Sequence, residues 1–432
     1  MTNRNEETAV QLSIDQIVVA VNSEDPEQQF LGMQEARKMV SGGDIPIDLM
    51  IGRGIVPTFI QFLQHNDNNR LQFEAAWALT NITSGTTEQT HYVIQMNAVP
   101  HFITLLQSPY MDLVEQAVWA LSNIAGDGAA ARDIVIQHNV IDGILPLISN
   151  ETPLSLLRKI VWLMSNLCRN NIPSPPFGQV RRLLPVFSQM LLSQDIPILI
   201  DACSSLVNVA DAENNGIQAV IDAEAVPRLV HLLQSSDFRI IALALHIIGN
   251  IAFGTDQQTD SLISAGGLTK LGLLLQHSNG HIVQETAWII SNITAGSQTQ
   301  IQAVIDAGIF QQIRHLLEKG NVKAQKNAAW TVTNTILSGT SEQVLNLIEN
   351  QKIIKPYIDL LEINTYPAII NVVLLGLEKL FRFSEQICGT ENLCLMVEDL
   401  SGLDKLKALL FHEKEYIKRI AYIIIYIYFK TT

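Results

Sequence analysis

Asparagine recurs along the chain at Asn81, Asn123, Asn166, Asn208, Asn250, Asn292 and Asn334, with gaps of 42, 43, 42, 42, 42 and 42 residues. Four residues before five of them stands a tryptophan: Trp77, Trp119, Trp162, Trp288 and Trp330, which are all five tryptophans of the protein. A carboxamide has one acceptor and two donors, so it can bond both the N–H and the C=O of an extended peptide backbone. Successive indoles would form walls with slots between them. A slot closed by a carboxylate suits the aliphatic stem and cationic head of lysine or arginine, with cation–π contact contributing roughly 0.5–2 kcal/mol per site. Glu74, Asp127, Asp201, Asp211, Asp256 and Glu285 are placed to close such slots. Asparagine would supply affinity without reading sequence, and tryptophan would do the reading.

Other chemistry is poorly represented. The sequence has no GxxxxGK[ST], HExxH or GxSxG, and no GxGxxG ahead of a helix. His65, His91, His101 and His138 keep no repeated spacing to carboxylates. The reading is a binding protein that is not an enzyme, with no cofactor and no metal site. Formal charge is −14, from 28 basic and 42 acidic side chains. That balance argues against nucleic acid or an anionic membrane as main ligand and is compatible with a basic partner. Cys168, Cys203, Cys388 and Cys394 form no CxxC pair and are expected to be buried free thiols. The N-terminus lacks the apolar core of a signal peptide. The apolar run Ile420–Phe429 has only 10 residues, too short for a bilayer, and is expected to be a buried terminal helix.

A fixed period of this length requires a stacked helical repeat. Each unit opens with a small residue ahead of an apolar run: GIVP at 54–57, NAVP at 97–100, EAVP at 224–227, GGL at 266–268 and GIF at 308–310. A polar turn, a longer helix and a glycine break follow; the breaks lie at 84–86, 125–128, 253–256, 295–297 and 338–340. The breaks predict left-handed helix caps. With Trp77 at 0° and about 100° per residue, Asn81 falls at about 40° and Glu74 at about 60°, whereas Ile82 and Leu79 fall at about 140° and 200°. The long helix thus turns its aliphatic side to the stack and its Trp–Asn side outward. The expected fold is all-α, a right-handed superhelical solenoid of about ten armadillo repeats with three helices each. After a short, disordered lead at 1–11, approximate repeats fall at 12–46, 47–88, 89–130, 131–173, 174–215, 216–257, 258–299, 300–341, 342–388 and 389–432. At the tryptophan position the fifth repeat has Ser204 and the sixth His246, leaving two Trp clusters. A ligand with two basic clusters joined by a spacer would suit them.

The segments QFEAAWALTNITSGTTEQT (72–90), EQAVWALSNIAGDG (115–128), VWLMSNLCRN (161–170), ETAWIISNITAG (285–296) and AAWTVTNTILSGT (328–340) resemble importin-alpha, the nuclear import adapter family. SGLDKLKALLFHEKE (401–415) resembles its last repeat. The likeness runs from about Leu12 to Phe429. It implies binding of lysine/arginine-rich nuclear localisation signals as extended peptides, and shuttling between cytoplasm and nucleus. It implies a major site on repeats two to four built from Trp77, Asn81, Gly85, Thr90, Gln116, Trp119, Asn123, Asp127, Trp162 and Asn166, with Asp127, Thr90 and the Gly85 carbonyl around the critical lysine. A minor site on repeats seven and eight would use Asn250, Glu285, Trp288, Asn292, Trp330 and Asn334. Partners implied are signal-bearing cargo, the family's export factor, and importin-beta where a basic N-terminal segment is present; nucleic acid and membrane are not among them.

The chain departs from the family pattern at several places. Lys159 stands where the family has asparagine, and its charge is expected to face the groove and oppose a basic ligand. Ser204, Asn208, His246 and Asn327 replace tryptophan, tyrosine, arginine and glutamate. Only Arg4 precedes the first repeat, so the chain as given is expected to be open to cargo but unable to recruit importin-beta by that route. Two alternatives are a chaperone or sequestering scaffold for basic proteins, and a beta-catenin-like adhesion or transcription scaffold.

Overall fold

The computed structural model describes residues 12–42, 47–169, 172–212, 215–362, 366–387 and 389–429. The expected lead at 1–11, with Arg4, and Cys388 lie outside them. All regular structure among the described residues is helical. The chain divides into two compact units, 1–212 and 213–432.

In the first unit the long helices are α1 (Pro26–Gly42), α2 (Asn69–Thr83), α3 (Met111–Gly126), α4 (Leu154–Cys168) and α5 (Ile196–Ala212), each packed on the next. In the second they are α6 (Phe238–Phe253), α7 (Gly280–Thr294), α8 (Val322–Ser338), α9 (Pro367–Ile387) and α10 (Glu415–Tyr428), stacked likewise. Two shorter helices join most successive pairs, as Thr87–Gln95 and Ala98–Leu105 join α2 to α3. Each unit is therefore a run of three-helix repeats. The first repeat departs from this, with only Ile14–Val21 ahead of α1 among its described residues.

The aliphatic face of each long helix is sealed. In α2, Leu71, Ala75, Leu79 and Ile82 are buried, and in α3, Leu113, Ala117, Leu121 and Ile124. The alanines let neighbouring helices approach closely, while each fully buried leucine or isoleucine contributes about 1.5–3 kcal/mol.

Of the glycine breaks only the one at 125–128 has a positive-φ residue, Gly128; the other left-handed corners lie elsewhere. Gly54, Asn97, Glu224, Gly266 and Gly308, the first residues of the five segments that open repeats, all have positive φ. These are the corners between the two short helices. The glycine breaks serve a different need. Thr86, Thr255 and Ser297 each cap a helix in a reciprocal box with Gln89, Gln258 and Gln300. A Cβ at Gly85, Gly254 or Gly296 would overlap the amide oxygen of that glutamine. A side chain at these glycines would force the capping glutamine to shift from its place across them.

The same glutamines tie repeats together. Gln89 Nε2 donates to Asp48 Oδ1 at 2.8 Å, and Gln258 Nε2 to Gln218 Oε1 at 3.1 Å. Gln300 Nε2 donates to Asp260 Oδ1 at 2.8 Å and the Asp256 carbonyl at 3.0 Å. Gln343, in a fourth such box with Thr340, donates to the Gln298 carbonyl at 2.8 Å and to Gln302 Oε1 at 3.1 Å.

Two further expectations are corrected. The C-terminal run is helical, but only one face is buried: Ile417, Ala421 and Ile424 are covered, while Tyr422 and Tyr426 are exposed and stacked on each other at 5.6 Å. A helix of this period cannot turn a continuous apolar run toward one neighbour. Cys168 and Cys203 are buried thiols, whereas Cys394 is half-exposed and donates to the Tyr428 carbonyl.

Candidate peptide-binding ladder

All five indoles are half-buried; none is sealed in the core. Four of the asparagines that follow them, Asn81, Asn123, Asn166 and Asn334, are braced from behind. Asn123 Nδ2 donates to the Thr80 carbonyl at 3.1 Å, and Asn166 Nδ2 to the Ser122 carbonyl at 2.9 Å. In the second unit Asn334 Nδ2 donates to the Ser291 carbonyl at 2.8 Å. Each amide thus bonds the preceding long helix at the residue just before its own asparagine. Asn81 differs, donating to Ser41 Oγ at 2.8 Å. This corrects the picture of a carboxamide with both donors free for a ligand. One N–H is committed to the scaffold and fixes the side chain, leaving one N–H and the oxygen.

In the first unit, three acceptors near these side chains are buried without a hydrogen-bond partner: Gln116 Oε1, Asp127 Oδ2 and Asn166 Oδ1. Gln116 is 9% exposed and Asn166 1%. Asp127 follows the end of α3, its side chain 12% exposed. Thr87 Oγ1 donates to its Oδ1 at 3.0 Å, and His91 Nε2 lies 3.7 Å from its Oδ2. Asp127 therefore sits against the helix Thr87–Gln95, which also carries the buried Thr90. The Thr90 hydroxyl donates to the Thr83 carbonyl at 3.2 Å, leaving its lone pairs. Gly85 is exposed. A Cβ at Gly126 would come within 3.1 Å of Asn166 Nδ2, so the first glycine of AGDG admits that amide.

Buried acceptors ordinarily find partners, because an unmet one costs about 1–3 kcal/mol. Asp127 and Asn166 meet at the C-terminal end of α3, where a carboxylate and an amide oxygen without hydrogen-bond partners suit a cation with N–H donors, such as a lysine ammonium. Gln116 lies about 16 Å back along the same helix.

The other carboxylates are less available than the sequence implied. Glu74 is buried and ion-paired with Arg37, whose guanidinium lies 4.3 Å from the Trp77 ring centroid. Lys159 faces the ladder as expected, but its charge is not free: the ammonium pairs with Glu115 and lies 5.1 Å from the Trp119 ring centroid. Burial pushes the Asp201 carboxyl up, with Arg169 opposing.

In the second unit Trp288 packs over Gly249, where a Cβ would meet its ring at 2.6 Å. Phe253 stacks on the same indole, with centroids 6.5 Å apart and planes at 24°. Glu285 is exposed, and Asn250, Asn292 and Trp330 are half-buried, with Asn292 Nδ2 buried and without a hydrogen-bond partner. Asn327 is buried, and its Nδ2 donates to the Gln284 carbonyl at 3.0 Å. The residue standing in place of a glutamate is therefore one more brace between helices.

The pattern described as Armadillo/beta-catenin-like repeat matches residues 44–84, 86–126, 213–253, 255–295 and 297–335, and the Atypical Arm repeat matches 391–432. Importin subunit alpha-4 of Arabidopsis thaliana is 48% identical over 220 residues, which is 51% of this chain and 41% of that protein. Importin subunit alpha-B of Dictyostelium discoideum is 49% identical over 219 residues, 50% of this chain and 42% of its own length. The chain belongs to the armadillo-repeat family and is importin-alpha-like. It spans about two fifths of the length of these curated relatives. A solved engineered protein, 24% identical, superposes with a TM-score of 0.74 over 94% of this chain and 97% of its own, and shares the fold.

Several residues of this importin-alpha-like ladder were missed from sequence. Glu115 lies four residues before Trp119, on the same helical face, and attention to the position three residues before tryptophan passed over it. Phe253 lies three residues after Asn250, also one turn away. Arg37 had no tryptophan of its own repeat to mark it.

Proposed function

We propose that this chain is a nuclear import adapter that holds lysine- and arginine-rich localisation signals as extended peptides along its Trp–Asn ladder, and that it moves between cytoplasm and nucleus with signal-bearing cargo. The observation that carries this is the set of buried, unpartnered acceptors Gln116 Oε1, Asp127 Oδ2 and Asn166 Oδ1 on an indole-bearing face.

In this reading Asp127 receives a lysine ammonium, with Thr90 and the Gly85 carbonyl beside it, and Gln116, about 16 Å back along α3, assists at another ligand residue. Asn81, Asn123 and Asn166 bond the ligand backbone, and Trp77, Trp119 and Trp162 flank its side chains. Two residues of extended chain advance about 6.6–6.8 Å, while packed helices lie about 8–10 Å apart. Curvature that narrows the inner face brings these close to one asparagine per two ligand residues. The second unit offers a further site on Trp288, Asn292, Trp330 and Asn334, with Glu285 as its exposed counter-charge and Asn250 adjacent. The names of the relatives support the adapter role, and the net charge of −14 supports a basic ligand.

Asp127→Lys tests the assignment. Replacing the partner of a desolvated cation typically costs about 2–5 kcal/mol, at least roughly thirtyfold in Kd. A fluorescent lysine-rich signal peptide is expected to lose binding on that scale. Affinity retained within threefold would remove Asp127 from the pocket.

A further inference from the structure

We propose that Lys159 is an internal ligand of the ladder. It fills in cis the cation slot on Trp119, so the first unit discriminates against a second cation beside the pocket lysine rather than reading a run of them. This deepens the adapter reading and rests on it.

The geometry is that of a bound basic side chain. The Lys159 ammonium lies 5.1 Å from the Trp119 ring centroid and is ion-paired with Glu115. Lysine comes from α4, and the indole and carboxylate come one turn apart from α3, so the three meet across the seam between adjacent repeats. Both charged side chains are largely withdrawn from water, at 25% and 27% exposure. A cation over an aromatic face, neutralised by a carboxylate, is the arrangement the ladder would offer to a ligand. Here the chain supplies it.

An incoming lysine at this slot must displace a tethered competitor. Tethered groups act at effective concentrations of roughly millimolar or above, far beyond any peptide in solution. The incoming charge must also face Lys159 as it leaves, since the displaced ammonium stays on the same seam. A small or polar ligand residue meets neither obstacle.

A second observation points the same way. Arg37 lies over Trp77, 4.3 Å from its centroid, and pairs with Glu74. Two of the three indoles of the first unit thus carry a cation of this chain. Glu74 and Glu115, two acids beside these indoles, are already neutralised. Gln116 Oε1, Asp127 Oδ2 and Asn166 Oδ1 still lack a hydrogen-bond partner, with His91 Nε2 3.7 Å from Asp127 Oδ2. The first unit is consequently built for one ligand lysine at Asp127, flanked by residues that need not be charged.

The test is a positional scan on the full chain. A short peptide with one central lysine is compared with variants carrying a second lysine at each flanking position in turn, and Kd is measured for the native protein, Lys159→Asn and Glu115→Gln. Thermal unfolding confirms that each variant is folded. For the native chain no flanking lysine should improve Kd by more than about threefold. For Lys159→Asn one flanking position should gain about tenfold or more, because Glu115 and Trp119 are now open to the ligand. For Glu115→Gln that position should turn unfavourable, since Lys159 stays unpaired beside it. A native chain that already prefers lysine tenfold at that position, unchanged in Lys159→Asn, would overturn the inference while leaving the adapter reading intact. Absence of binding by every peptide to every protein would overturn the adapter reading and this inference with it.

Discussion

Asn166 shows how one side chain serves scaffold and site at once. Its Nδ2 is spent on the Ser122 carbonyl while its buried oxygen has no partner. Asn166→Ala should cost about 0.5–1.5 kcal/mol of stability, the net value of one hydrogen bond, yet weaken a basic peptide by about tenfold or more. Urea unfolding and peptide titration of the same sample separate the two; equal peptide affinity would show that the oxygen meets no ligand. Trp288 makes a comparable case, because its ring rests on Gly249. Gly249→Ala should push the indole outward, lower stability by about 1–3 kcal/mol, and change indole fluorescence. An unchanged emission spectrum would show that the ring does not shift. Burial pushes the Cys168 and Cys203 thiols up to about 12. A buried thiol stays protonated at pH 8 and the thiolate is the nucleophile. Neither should be alkylated in the native protein, as peptide mapping would report. At this scale the sequence was half legible. The period named the asparagines and tryptophans because polar residues in register need a common surface. It could not show that Asn123, Asn166 and Asn334 are committed to carbonyls some 43 residues away or that Lys159 is matched by Glu115, since both facts depend on how neighbouring helices meet.

The helices owe their ends to chemistry that the sequence displayed but that was assigned to the wrong glycines. The glycine breaks were expected to be left-handed caps. Only Gly128 among them has positive φ; left-handed residues instead open the second short helix, among them Asn97 and Glu224, which accept positive φ despite their Cβ atoms. At Gly85, Gly254 and Gly296 a side chain would force Gln89, Gln258 and Gln300, which fold over them, to shift. That the S/T-x-x-Q spacing forms a capping box is readable from sequence; that the same glutamine also reaches the previous repeat is not, because its partners lie about 40 residues back. Gln300→Ala removes the reciprocal cap and its bonds to Asp256 and Asp260. It should destabilise the second unit by about 1–3 kcal/mol, seen as a lower urea midpoint. An unshifted midpoint would mean that the glutamine ladder is decoration. The terminal helix α10 was misjudged for a related reason: composition gives a run its hydrophobicity, and only packing tells which face is covered.

For the whole molecule, fold class was the most legible level. A period near 42 residues leaves little besides stacked helices, and the two units are each such a stack. Each carries its own indoles and asparagines, so in the proposed reading each would hold a ligand segment by itself. Charge sets the sign of that ligand. A chain at −14 whose half-buried ladder holds buried oxygens without hydrogen-bond partners should attract cations and repel acids. Contacts between exposed charges are screened over about 10 Å at 0.1 M salt. The most direct measurement is therefore a paired titration of the native chain with a lysine-bearing peptide and an acidic peptide of equal length, at low and high salt, followed by indole fluorescence. Binding of the lysine peptide alone, weakening as salt rises and perturbing the indoles, is the expected result. Binding of the acidic peptide, or binding of either one that leaves indole emission and salt dependence flat, would contradict the account.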